Sequence, residues 1–313
     1  MAVIAKILVI FIMIGLGFTL GKVGLLPEES NIYISRLVVF VGSPTLLFSA
    51  ILERELSAET IRITVEMLVG AICFFVVGSL MAYLICRLLK VNDSPDSGIY
   101  MLLMTTLNSS FMGFPLMETA FGSTGLYLMV FGNIVHNIFL YSFGILFIEK
   151  GSGKGKSLWY RIRPVINPCT IAAVLGVIIM VLGIELPDIV VSPIKYMAGM
   201  TIPLSMISVG LSICASNVKS ILGNRKLIGT CLIKNLIWPA VMMTIVMFTN
   251  FSPMVKCVLA LMGALPPSVS GGALVRQRGK NATLASEGIV FSTIISILTI
   301  PVMYLILTNV MNV

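Results

Sequence analysis

The sequence predicts an all-α polytopic membrane protein: ten transmembrane helices arranged as two inverted five-helix repeats, with broken, crossing helices 4 and 9. Three observations carry this reading. First, of 313 residues 58% are apolar and only 11% charged, and mean hydropathy is +1.04. Soluble domains carry about 25% charged residues, so lipid must be the solvent. Second, apolar stretches long enough to cross a bilayer, at about 20 residues each, recur ten times. Third, two of them are interrupted by proline and glycine at equivalent places in the two halves of the chain.

The spans run 3 to 21, 32 to 51, 61 to 89, 98 to 118, 122 to 148, 165 to 183, 189 to 214, 226 to 250, 255 to 275 and 284 to 310, each bounded by charge, Pro or Gly. The first resembles a signal-peptide core, but it is long and lacks an Ala-x-Ala cleavage site, which keeps it as helix 1. Span 4 carries Asn108-Ser109-Ser110-Phe111-Met112-Gly113-Phe114-Pro115 and span 9 carries Pro266-Pro267-Ser268-Val269-Ser270-Gly271-Gly272. Proline removes an amide donor and clashes one turn back, so both helices should break near mid-membrane. Irregular backbone at that depth survives only inside protein or beside a wet cavity. Pro44, Pro203, Pro239 and Pro301 sit in otherwise regular spans and predict kinks only.

The scarce charges give orientation, because lysine and arginine are retained on the cytoplasmic side. The odd-numbered connections, after spans 1, 3, 5, 7 and 9, hold fourteen, from Lys22 and Arg87 to Arg276, Arg278 and Lys280, whereas the even-numbered connections and the termini hold only Lys6, Arg54, Arg62 and Lys256. Arg36, Lys195 and Lys234 lie inside spans. Both termini are therefore expected outside, in a cell (plasma or inner) membrane. The net charge of +8 is then a topology signal, and no nucleic-acid partner is expected.

The domain reading is a first five-helix repeat over 1–151, a cytoplasmic linker over 152–164 and a second, inverted repeat over 165–313. Within the linker region, Gly151-Ser152-Gly153-Lys154-Gly155-Lys156-Ser157 lacks the spacing of a phosphate-binding loop, because position 150 is lysine. Trp159, Tyr160, Arg161 and Arg163 suit an interfacial anchor on anionic lipid. Inversion follows from matching features about 160 residues apart: Pro27 with Pro187, Arg36 with Lys195, Pro44 with Pro203 and, slightly nearer, Pro115 with Pro267. Five spans per half is odd, so the second half must cross with opposite polarity, which sets the two broken helices face to face.

The six cysteines form no CxxC pair and read as small buried hydrophobes. A single histidine, His136, cannot build a metal site alone, so no metal and no cofactor are expected.

At the two breaks the sequence resembles a known family. Asn108-Ser109-Ser110-Phe111-Met112-Gly113-Phe114-Pro115-Leu116-Met117 is similar to the span-4 crossover of the auxin efflux carrier family, whose plant members read Asn-Thr-Leu-Val-Met-Gly-Ile-Pro-Leu-Leu. Ala264-Leu265-Pro266-Pro267-Ser268-Val269, then Gly272-Ala273-Leu274-Val275-Arg276 and Ala285-Ser286-Glu287-Gly288-Ile289-Val290-Phe291, resembles the family's span 9 and start of span 10. The long cytoplasmic loop of plant members is absent, as in short bacterial-type members. The resemblance implies membership of the bile/arsenite/riboflavin transporter superfamily and the elevator fold of sodium/proton antiporters. Helices 1, 2, 6 and 7 would form a scaffold that commonly makes a homodimer, and helices 3–5 and 8–10 a transport domain. It also implies small organic anions as substrates, such as auxin-like monocarboxylates, malonate or malate. Asn108 would be the substrate-contacting asparagine, and Gly113, Pro115, Pro266 and Pro267 the crossover. Position 267 is proline where many relatives have a polar or small residue, so substrate identity does not transfer.

Asn108, Ser109, Ser110, Ser268, Ser270 and Gly271 would offer a carboxylate neutral donors and helix-end amides. Serines in membrane helices also serve as interhelical glue. No fixed cation is evident at the breaks, which suits a transporter, since a buried arginine–carboxylate pair could hold the anion too tightly. Asn133, His136 and Asn137 share one face of span 5 at helical spacing. With Glu118 and Glu287 they are the coupling or gating candidates, H+ or Na+ being the possible coupling ion. The simpler alternatives are a neutral histidine bridging helices and solvated interfacial carboxylates. Glu66 and Lys234 are candidates for an intramembrane pair. The functional expectation is a secondary or potential-driven transporter and not an enzyme; the alternative is a membrane ligand sensor using the same crossover.

Overall fold

The computed structural model describes residues 2–149, 166–216 and 218–311, and the described residues are helical without strands. The linker 152–164 with its Gly151–Ser157 segment, Trp159, Tyr160, Arg161 and Arg163 lies outside them. In chain order the longer helices are α1 (Ala2–Lys22), α2 (Ser30–Leu52), α3 (Ala58–Leu88), α4 (Ser97–Thr105), α5 (Phe114–Phe139), α6 (Pro168–Leu182), α7 (Asp188–Cys214), α8 (Arg225–Met247), α9 (Pro253–Ala264), α10 (Val269–Gln277) and α11 (Ala282–Met311), with a short helix Val218–Gly223 before α8. A π turn (Leu140–Gly144) extends α5 into one further helical turn, Ile145–Ile148.

Among the described residues seven helices are long and apolar enough to cross a membrane, or eight when α9 and α10, bent by 48° at their junction, count as one span. The predicted spans 4 and 5 fall in one stretch, Ser97–Ile148, and the predicted sixth is the shorter helix α6. Their surfaces are apolar: Ile12 is 69% exposed, Leu80 61% and Leu298 74%. Side chains of that kind spread over many helices require a lipid surrounding. The chain is a multi-pass membrane protein.

Prolines shape the helices in a regular way. π turns at Val38–Gly42, Ser109–Gly113 and Ile233–Ile237 each end two residues before a proline, at Pro44, Pro115 and Pro239 respectively. A proline ring collides with the carbonyl four residues back, and a wider turn moves that carbonyl aside. Before Pro203 the helix is instead interrupted at Met200. Helix α6 has its ends marked by a side-chain cap from Asn167 to the Thr170 amide, proline at its first position, and Gly183 with φ +63° beyond its end.

The chain divides into two compact units. The first comprises Met1–Met67, Ser109–Gly132 and Ile166–Ala215. Within it α1 packs on the second part of α7, and α2 on α6 and the first part of α7. A side chain at Gly17 would overlap the Ile207 backbone, and one at Gly210 the Ile14 carbonyl. Without a hydrophobic force between helices in lipid, such backbone approach is what binds them.

The second unit comprises Leu68–Asn108, Asn133–Val165 and Ser216–Val313. Its core includes Cys86, Ile99, Leu102, Leu103, Leu140, Leu227, Cys231, Leu274 and Ala285. Four of the six cysteines are buried as expected, but Cys73 is exposed and Cys214 half-buried, because apolar stretches in lipid include an outward face.

Candidate functional site

The second unit holds the extended residues of both breaks, up to Asn108 in the first of them. Helix α4 ends at Thr105, and Thr106 continues as extended backbone. Helix α9 ends at Ala264, and Leu265 and Ser268, which flank the two prolines, are extended before α10 begins. The two gaps bond to each other: the Asn108 amide donates to the Pro266 carbonyl at 2.8 Å, and the Ser268 amide to Thr106 Oγ1 at 3.2 Å. Thr106 in turn donates its hydroxyl to the Leu102 carbonyl at 2.7 Å. The freed amides of one break are thereby satisfied by the other, as backbone in a low-dielectric setting requires.

Of the proposed anion ligands, Asn108, Ser109, Ser268 and Gly271 are buried, Ser110 is half-buried and Ser270 exposed. Ser268 caps α10, its Oγ accepting from the Gly271 amide at 3.2 Å. That helix N-terminus is thus positioned at the break, with the positive end of its dipole there. Gly271 lies against Leu102, 3.3 Å from where a Cβ would stand. Pro266 and Pro267 are buried in the α9–α10 gap, while Ser109, Ser110, Gly113, Pro115 and Glu118 belong to the first unit. One oxygen of the half-buried Glu118 carboxylate is buried with no hydrogen-bond partner among the described residues.

The coupling candidates separate. His136 is 1% exposed; its Nε2 accepts from the Leu107 amide at 3.4 Å, and Phe75 stacks on the ring at 5.6 Å between centroids. An accepting Nε2 places the proton on Nδ1, which has no partner among the described residues. Asn133 is buried, and Asn137 and Glu287 are half-buried. Glu66 pairs with Arg62 one turn away at 3.8 Å.

One residue at the breaks escaped the sequence reading, and another, Lys234, was named only as a possible partner of Glu66. Thr106 bridges the two breaks, and the only signal was a Thr-Thr pair just before Asn108. Lys234 corrects the expectation that no fixed cation stands there. It is 1% exposed and donates to the Gly263 carbonyl at 3.2 Å, five residues ahead of Ser268. A lysine inside a span was itself the available signal.

Together these features define a class: a helical membrane protein built around a pair of broken, mutually bonded helices, as in transporters. A sequence profile of the family described as membrane transport protein matches residues 2–304. The chain belongs to that family, the family of the auxin efflux carriers. It is 27% identical over 298 residues to an uncharacterized transporter of Methanothermobacter thermautotrophicus, covering 94% of this chain and 95% of that one. An uncharacterized transporter of Methanocaldococcus jannaschii is 25% identical over 311 residues, covering 97% and 98%. The uncharacterized transporter YfdV of Escherichia coli K12 is 23% identical over 278 residues, covering 86% of each chain.

Proposed function

We propose that this membrane transport protein carries small organic anions, as an elevator, with substrate at the crossover of the two broken helices. The observation that carries the reading is the mutual bonding of the gaps, Asn108 to Pro266 and Ser268 to Thr106, beside the capped N-terminus of α10. Irregular backbone at mid-membrane must have its amides satisfied in the empty state, and the bonds between the two gaps satisfy those of Asn108 and Ser268. No enzymatic step is needed.

The layout proposed is ten spans in two inverted five-helix repeats, 1–151 and 165–313. The stretch Ser97–Ile148 is 52 residues long, far beyond the roughly 20 of one crossing. Gly122 breaks it at φ +64°, ψ −158°, a conformation open to glycine. The scaffold would be helices 1, 2, 6 and 7, pairing as a homodimer, with helices 3–5 and 8–10 moving. The compact units support this division in that the first gathers α1, α2, α6 and α7 and the second α4, α8 to α11 and most of α3, although most of α5, within Ser109–Gly132, falls in the first. The location is the cell membrane, both termini outside and the linker cytoplasmic, on the count of basic residues. An inside-negative potential favours monoanion exit by about 2.3 kcal/mol per 100 mV, so efflux needs no coupled ion, while uptake requires H+ or Na+.

The test is flux of labelled mono- and dicarboxylates into liposomes holding the purified chain, with imposed potential and pH gradients. Saturable flux of at least one carboxylate is expected, and its absence over a broad panel sinks the reading. Asn108→Ala should weaken substrate binding about tenfold without changing expression, the loss of a hydrogen bond to a charged group. Unchanged affinity removes Asn108 from the site.

A further inference from the structure

The Pro266-Pro267 pair determines which carbonyls of α9 lose their helical partners. In a helix the carbonyl of residue i accepts from the amide of residue i+4. Met262 and Gly263 would accept from 266 and 267, which as prolines have no amide hydrogen. Met262 is served by the Leu265 amide at 3.3 Å. Gly263 is served by the Lys234 ammonium at 3.2 Å, fully buried within the second unit.

The position of that ammonium is specific. The C-terminal end of a half-helix carries the negative end of its dipole, and cations are favoured there. In transporters with discontinuous helices, half-helix C-termini and unwound carbonyls are the places that coordinate the mobile Na+ or H+, while N-termini face anionic groups. Here the C-terminus of α9 and the N-terminus of α10 flank one gap, and the C-terminal position is filled by a side chain. Lys234 sits in the π turn Ile233–Ile237 that precedes Pro239, and Gly263 lies against Pro239, 3.1 Å from where a Cβ would stand. The two helices are therefore close enough for a lysine to reach. An ammonium has three donors, and among the described residues Gly263 provides its one hydrogen-bond partner. A buried charge so sparsely held is costly until an anion joins it.

We infer that Lys234 is the tethered cation of the crossover, occupying the place at the end of α9 where a mobile sodium would otherwise bind, so that anion movement by this chain is sodium-independent. This inference rests on the transport reading for its consequence in flux. Its consequence for cation binding stands separately. Truncating Lys234 uncovers the Gly263 carbonyl and vacates the cation position, so Lys234→Ala should acquire the sodium response the wild type lacks.

The experiment compares detergent-purified wild type, Lys234→Ala and Lys234→Met by thermal unfolding in sodium chloride and in choline chloride at equal ionic strength. The same proteins are then assayed for labelled malonate flux in liposomes. The wild type should unfold at the same temperature in both salts, and Lys234→Ala several degrees higher in sodium. Malonate flux by the wild type should be unchanged when choline replaces sodium. Flux should fall at least about tenfold in Lys234→Met, whose buried chain has no charge to offer the anion. In Lys234→Ala it should recover partly with sodium or with propylammonium, the fragment removed. Sodium-specific stabilisation of the wild type, or full malonate flux by Lys234→Met, overturns the inference. A wild type that moves no carboxylate sinks the transport reading alone, since the unfolding comparison still decides what Lys234 does.

Discussion

The polar groups that join helices in the first unit differ in kind from those gathered at the breaks in the second. In the first, the half-buried Asn31 and Ser35, the buried Ser208 and the exposed Ser212 form a network: Ser208 donates to Asn31 Oδ1 at 2.6 Å, Asn31 donates to Ser212 at 2.9 Å, and Ser35 meets Ser208 at 2.9 Å. These neutral groups satisfy one another where α2 meets α7, and the glycines of α1 and α7 bring backbones together. In the second, the buried groups at the breaks include a histidine with one ring nitrogen unpartnered and a lysine on one carbonyl. Neutral, saturated networks lock helices. Charged, sparsely bonded groups are retained where something else must complete them.

The comparison breaks most sharply at Gly210. Any Cβ there overlaps the Ile14 carbonyl, so Gly210→Leu should cost about 3 kcal/mol or more through overpacking. It is read as lost monodispersity and a collapsed melting temperature in detergent. A variant that melts normally would show that backbone approach does not hold the first unit.

A finer test uses two helix caps of the same chemistry, one in each unit. Asn167 Oδ1 accepts from the Thr170 amide at 3.1 Å, and Ser268 Oγ from the Gly271 amide at 3.2 Å. Asn167→Ala and Ser268→Ala should each lose about 1 kcal/mol of stability. Only Ser268→Ala should also reduce carboxylate flux, because its cap lies in the crossover. Equal flux in the two variants would erase the functional distinction between the units. The smallest effect belongs to Lys195→Ala: its 3.8 Å pair with Glu53 has side chains 57% and 45% exposed, so melting should shift by less than about 1 kcal/mol equivalent.

Much of this was legible in the residues. Apolar stretches bounded by charge gave the helices, and the Pro266-Pro267 pair gave the break after α9, because proline's missing donor acts through the local chain. Pro115 marks the π turn Ser109–Gly113, while the extended residues from Thr106 lie upstream of its reach. Asn108 and Ser268, singled out there as ligands, are buried beside the breaks. Ser270 was chosen with them but is exposed, since the sequence does not tell which face of the first turn of α10 turns inward.

The sequence by itself determined the solvent, the helical elements and the places where helices stop, because hydropathy and backbone donor chemistry depend on residues close along the chain. It even determined that Gly263 must lose its helical donor, since residue 267 is a proline. Only the tertiary structure decided that Lys234 supplies the replacement and that Thr106 receives the Ser268 amide. Those bonds join residues 29 and 162 positions apart, and such meetings are set by how helices pack, which no local pattern specifies.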